Sequence, residues 1–297
     1  MRHISVLLQE SIDALQIKEG GVYVDGTLGS GGHSEAIAKM NIPVTIIGID
    51  ADADALRRSQ KKLAPYKHIT LHTVESYNDT LSEILLSLEI TTVDGILLDL
   101  GMSSDQLEES KRGFSFQKDE PLLMTMREQE SEDALTAASL INKASEDDIA
   151  TILYNYADEQ FSKRIAKSII QARELEPIET TSQLVEIIIA AVPPFYRKRK
   201  THPATKTFQA LRIAVNDEMT RLHSVLEQSM HCLKEGGVLS VITFHSLEDR
   251  IVKRFMRQQD VEGNGKLVSR RAIKPTEEEV KENPRSRSAL LRVLTKK

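Results

Sequence analysis

Hydrophobic positions in the first hundred residues fall into short runs bounded by turn-forming residues. Val22-Tyr23-Val24 precedes a glycine-rich stretch, and residues 44–49 form a run rich in β-branched side chains. Residues 69–74 alternate apolar and polar, and the run at 93–98 stops at Asp99. Runs of this length suit strands buried on both faces of a parallel sheet. Between them, residues 34–40 and 54–63 carry helical spacing. Strand-helix-strand alternation predicts a doubly wound α/β domain with a mostly parallel sheet.

The pattern changes after about residue 131. Ser145 followed three residues later by Asp148 marks a helix start, and Phe161, Ile165, Ile169 and Ile170 recur at helical spacing. A third helix over residues 181–192 is stopped by Pro193-Pro194. Residues 207–234 then predict one long amphipathic helix, with Leu211, Val215, Met219, Leu222, Leu226 and Met230 near one face. A strand over 238–244, a helix over 247–258 and a last strand over 289–294 follow. The expected organisation is an α/β domain in two parts, residues 1–108 and 204–297, with an all-helical domain inserted at 109–203.

Composition narrows the class. Of the 297 residues 40% are hydrophobic, enough for a buried core, and one cysteine excludes a disulfide framework or a cysteine-based zinc cluster. No apolar run is long enough to span a bilayer and the first residues lack a secretory signal pattern, so a cytoplasmic protein with no membrane partner is expected. The eight histidines are scattered without metal-ligand spacing, and no metal is expected. The net charge of -5 hides an asymmetry: residues 193–297 hold 22 Lys/Arg against 12 Asp/Glu, while the remainder is strongly acidic. Such a division points to a local anionic partner, or to mutual attraction of the two parts.

The sharpest motif is residues 24–34, Val-Asp-Gly-Thr-Leu-Gly-Ser-Gly-Gly-His-Ser, between a strand and a helix. That is the context of a nucleotide-type cofactor loop, and Asp50, 19 residues after Gly31, has the separation of a ribose-binding acid. The dinucleotide pattern accommodates Gly29 and Gly31 but puts Ser34 where its third glycine belongs. Asp25 inside the turn would repel a pyrophosphate and would suit the cationic sulfonium and ammonium of S-adenosylmethionine (SAM). A methyltransferase is therefore preferred over an NAD-dependent redox enzyme. Asp99, at the end of the fourth strand, should face this loop across the switch point, as a contact to cofactor or nucleophile or as a cap of the next segment.

Three basic segments suit phosphate contacts: residues 197–200 running into 201–210, Arg270-Arg271 with Lys274, and Arg285 with Arg287. Candidate substrate contacts are Arg199, Lys200, His202, Lys206, His245, Arg285 and Arg287. His245 could act as a base, or cap a helix with Asp249.

Together these motifs resemble the RsmH (MraW) family of SAM-dependent rRNA methyltransferases. The resemblance rests on residues 25–34, 94–101 with Ser103-Ser104, 112–116, 202–212, 244–256 and 283–292. It implies a Rossmann-like class I methyltransferase domain with an inserted helical domain. The implied activity is methylation of N4 of a cytidine in the decoding region of 16S rRNA, with the small ribosomal subunit as partner and room for a homodimer. Matched by position, the family's cofactor contacts fall on Gly31, Gly32, His33, Asp50, Asp99 and Gln106, beside Asp25 and Gly29 of the loop. An aromatic contact after the third strand has Tyr77 as nearest candidate, although an ungapped match lands on Glu75. Asp99 is the expected catalytic residue. One departure stands out: where the family usually reads Pro-Leu-Asp-Met-Arg-Met, this chain has Leu123 and Thr125 in place of the acid and the arginine. That keeps open a divergent paralogue with another RNA or protein target, and a SAM-binding ribosome-assembly factor without turnover.

Overall fold

The computed structural model describes residues 5–102, 110–127 and 134–297. They form two compact units, Met1–Gly101 with Met219–Lys297, and Met102–Glu218.

In chain order, the first unit opens with α1 (Leu8–Leu15), β1 (Val22–Asp25), α2 (Gly32–Lys39), β2 (Val44–Asp50), α3 (Ala53–Leu63), β3 (Ile69–Glu75), α4 (Leu81–Ser87) and β4 (Val93–Asp99). The second unit holds α5 (Ala137–Lys143), α6 (Glu146–Ala157), α7 (Ser162–Arg173), α8 (Thr181–Ala191), the single turn α9 (Pro194–Arg197) and α10 (Thr205–Val215). The chain then completes the first unit with α11 (Glu218–Cys232), β5 (Leu233–Thr243), α12 (Ser246–Glu262), β6 (Gly265–Leu267), α13 (Glu277–Glu282) and β7 (Leu290–Lys296).

The sheet runs β3-β2-β1-β4-β5-β7-β6. The first five strands are parallel, and β7 pairs antiparallel with both β5 and β6. The central strands β2 and β4 are buried over nearly their whole length, which is why their sequences are continuous apolar runs rather than alternating ones. The order reverses between β1 and β4, so the loops after these strands flank the switch point where ligands bind in open α/β sheets. This is the doubly wound, mostly parallel α/β architecture expected of the chain.

The second unit buries Leu153 of α6, Ile165 and Ile169 of α7, Leu184 and Ile188 of α8 and Leu211 of α10 in one core. The expected cap forms, with Ser145 Oγ accepting from Asp148 N at 3.1 Å, and Thr180 also makes a reciprocal cap with Gln183.

The expected single helix over 207–234 is two helices. Asn216 accepts from Met126 N at 2.8 Å and donates to Met124 O at 2.8 Å, and Asp217 takes a left-handed φ of 48°. A side chain that bonds backbone elsewhere competes with the helix ladder, and here it ends α10. α10 therefore packs in the helical unit, which runs to residue 218 rather than 203. The strand expected at 238–244 also starts earlier, at Leu233, with its register to β4 shifting between Val93 and Gly95.

Candidate cofactor site

The site grows from the ends of β1, β2 and β4. Gly29 and Gly31 both have positive φ, 50° and 72°. At Gly31 a Cβ would come 3.0 Å from Ser59 Cβ on α3, and at Gly32 a Cβ would lie 1.9 Å from Ser5 Oγ. The positive φ and the close approach of Ser59 and Ser5 leave no room for a side chain at Gly31 and Gly32 as the loop turns into α2.

The loop is tied to the neighbouring strand ends. Gly29 N donates to Asp50 Oδ2 at 2.7 Å, and Leu28 N donates to Ile49 O at 2.9 Å. Asp99 N donates to Thr27 Oγ1 at 2.6 Å, and Leu100 N donates to Ile242 O of β5 at 3.0 Å. Asp50 Oδ1 also accepts from Asp52 N at 2.9 Å. Burial pushes the Asp50 carboxyl up to about 6, against the pull of those two N–H donors and helped by the nearby Asp52 and Asp25.

Asp25 is buried and accepts from Ser34 Oγ at 2.7 Å through Oδ2. His33, also buried, faces Val6 O through Nε2 at 3.2 Å, and its Nδ1 lies 3.8 Å from Asp99 Oδ2. Burial raises the Asp25 carboxyl, opposed by His33 and its hydrogen bonds. Burial raises that of Asp99 well above the usual range, and the negative charges of Asp25 and Glu248 add to it.

Two features decide what this arrangement fits. Asp25 Oδ1 and Asp99 Oδ1 are both buried without a hydrogen-bond partner. A buried acceptor left unpaired is costly, and a carboxylate more so. A ligand bearing positive charge and N–H donors would relieve both, whereas a pyrophosphate would worsen them. The two carboxylates fit the ammonium and sulfonium of SAM.

Tyr77 follows β3 with the Arg221 guanidinium 3.7 Å from its ring centroid, and Arg221 Nη1 also donates to Asp79 at 2.9 Å. Glu75 is exposed. Gln106, like Ser103 and Ser104, lies outside the described residues.

The substrate candidates separate by unit. In the first, His245 caps α12: its Nδ1 accepts from Glu248 N at 3.3 Å, and Glu248 Oε2 accepts from His245 N at 3.2 Å. The capping partner is thus the acid three residues on, not Asp249, whose carboxylate instead takes Arg292 through 2.7 and 3.0 Å bonds. Arg285 and Arg287 are exposed on a 3-10 turn, Pro284–Ser288. In the second unit, His202 stacks on Phe116 at 4.6 Å and accepts from Ala204 N at 3.2 Å. Lys206 Nζ donates to Asp158 O at 2.7 Å, while Arg199 and Lys200 are exposed.

Thr27, Ser34 and Glu248 were not anticipated as site residues. Ser34 stood in the motif only as a missing glycine, and Glu248 carried a signal in its three-residue spacing from His245.

Residues 1–297 match the sequence profile of a family described as the MraW methylase family. The chain is 45% identical over 311 residues to the Ribosomal RNA small subunit methyltransferase H of Clostridium botulinum (strain Kyoto / Type A2), covering 99% of each. It is 46% identical over 318 residues to the protein of the same name from Paenibacillus sp. (strain JDR-2), again covering 99% of each.

Proposed function

This chain belongs to the MraW methylase family, and from that premise we propose that it methylates N4 of a cytidine in the decoding region of 16S rRNA within the small ribosomal subunit, in the cytoplasm. The target is supported by the relatives, each named a small-subunit rRNA methyltransferase. The chemistry is carried by one observation, the two buried, unpartnered carboxylate oxygens of Asp25 and Asp99 at the switch point.

SAM, when bound, supplies an electrophilic methyl group on a sulfonium. Asp25 and His33 would hold the cationic end of the cofactor, Gly29, Gly31 and Gly32 would admit it, and Asp50 would take its ribose. An exocyclic cytosine amine is a poor nucleophile because its lone pair is conjugated into the ring. Asp99 would accept one of its N–H groups, which would orient the amine and free its lone pair from the ring. Methyl transfer leaves the nitrogen acidic, so no strong base is needed beforehand. Burial, with the negative charges of Asp25 and Glu248, raises the Asp99 carboxyl above the usual range, so its carboxylate would be a stronger proton acceptor than an ordinary aspartate. Tyr77 and Gln106 complete the cofactor set, and the basic residues hold RNA phosphates, offsetting the few kcal/mol of unstacking the base.

A second reading draws on residues 123–125. Thr125 is buried and its hydroxyl donates to Arg127 O at 3.2 Å, while Leu123 O accepts from Ala137 N at 2.9 Å. Neither side chain offers a charge where the family usually has an acid and an arginine, which favours a related RNA or protein target.

Purified protein, labelled SAM and small subunits from a strain lacking the gene test both. Label at a cytidine N4 in the decoding region is the expected result. Label elsewhere selects the second reading, and no label on any rRNA or ribosomal protein removes both.

A further inference from the structure

Residues 160–173 and 187–216 contain no Asp or Glu. In the second unit these two stretches meet through three aromatic rings. Phe161, just before α7, meets Tyr196 of α9 edge-on at 5.0 Å and Phe195 at 6.0 Å and 64°. Tyr196 is buried and its hydroxyl donates to Glu159 Oε2 at 2.6 Å. Glu159 Oε1 accepts from Phe161 N at 2.8 Å, so this acid is wholly buried and presents no charge to solvent. The acid fixes two of the rings from beneath.

The outer side is cationic. The Arg199 guanidinium lies 4.6 Å from the Tyr196 centroid and 6.0 Å from that of Phe195, and Arg164 lies 6.0 Å from that of Phe161. Lys163, Arg164, Lys167, Arg197, Lys198, Arg199 and Lys200 are all exposed. Phe195 itself is 60% exposed. A lone exposed apolar side chain needs no explanation. This ring differs because its edge is held by Phe161, the two stretches that meet at it carry cations and no acid, and Glu159 is buried. Aromatic faces beside a cationic track are how single strands are bound without sequence readout: bases stack, and phosphates take the charges.

We propose that Phe195, oriented by Phe161 and flanked by Arg199, is a stacking platform for one unpaired RNA base, whose neighbouring phosphates meet Arg164, Lys198 and Lys200. This rests on the RNA substrate argued above and assigns part of that RNA to the helical unit. An acidic protein segment would use the cations but not the ring face.

The test uses the full chain, without SAM, and a short labelled single-stranded RNA followed by fluorescence anisotropy at several salt concentrations. Phe195→Ala should weaken binding about ten- to hundredfold and leave the salt slope unchanged. Phe195→Trp should retain affinity. Lys198→Gln with Lys200→Gln should instead lower the slope by about 1.4. The proposal is overturned by unchanged affinity in Phe195→Ala, by full recovery in Phe195→Leu (apolar bulk rather than stacking), or by an acidic peptide that competes equally with the RNA. Because no transfer is measured, a wild-type protein that methylates nothing can still show the expected pattern. A protein that methylates rRNA can equally fail it.

Discussion

Replacing Asp50 by asparagine separates what this residue costs the fold from what it gives the cofactor. The folded carboxyl sits at about 6 against an ordinary 3.8, with burial as the leading cause. The folded state therefore holds the proton more tightly than the unfolded chain. The group's favourable contribution is fully present below its unfolded pKa and is lost as pH rises through about 6. A shift of about two units is worth about 3 kcal/mol by pH 8, roughly half of it developing above pH 5. An amide does not titrate, so Asp50→Asn should gain stability relative to wild type between pH 5 and pH 8. An offset of about 1 kcal/mol is expected because the amide N–H replaces one acceptor facing Gly29 N or Asp52 N. SAM binding should move the other way. Losing a charged acceptor for ribose hydroxyls should raise Kd about ten- to hundredfold at pH 8, and the gap should narrow below pH 6, where the wild-type carboxyl is itself protonated. Urea denaturation and calorimetric titration with SAM at pH 5, 6.5 and 8 measure both. A variant whose stability relative to wild type stays flat across that range would refute the burial argument. SAM affinity unchanged at pH 8 would refute the ribose assignment.

Asp99→Asn should lower turnover at least about a hundredfold, as loss of a proton acceptor and positioning group does, while SAM affinity changes less than about tenfold. Single-turnover transfer and titration separate the two effects. Gly31→Ala should cost about 1–3 kcal/mol in urea denaturation, because φ is positive there and a Cβ would crowd Ser59. An unchanged midpoint would show that the loop relaxes freely. Neutralising both Arg285 and Arg287 should reduce the salt slope of RNA binding by up to about 1.4 for single-stranded contacts, with SAM binding intact. An unchanged slope removes this turn from the interface.

The strands around the site were legible because burial on both faces writes itself into β2 and β4 as apolar runs, and the spacing of Gly31 to Asp50 depends on one local βαβ unit. What escaped depends on partners far along the chain. Arg221 reaches Asp79 across 142 residues, and Leu7 N donates to Glu279 Oε1 at 2.8 Å across 272. Nothing local announces either. The helix break at Asn216 was hidden for a different reason: the apolar stripe continues through it, and only the side chain's bonds to Met124 and Met126 end the helix. The cap at His245 shows a near miss, where spacing alone did not separate Glu248 from Asp249.

The split of the first unit has a consequence for how the protein is made. Residues 102–218 are contiguous and need nothing made later to form their own core. The sheet is different, because β5, which holds Leu100 through Ile242 O, pairs on its other side with β7, made more than forty residues later. During synthesis the helical unit can fold while the first four strands wait with an open edge. The two carboxylates that define the site gain their final surroundings only when the last strand leaves the ribosome. A chain truncated before Leu290 should therefore retain helix and lose SAM binding altogether.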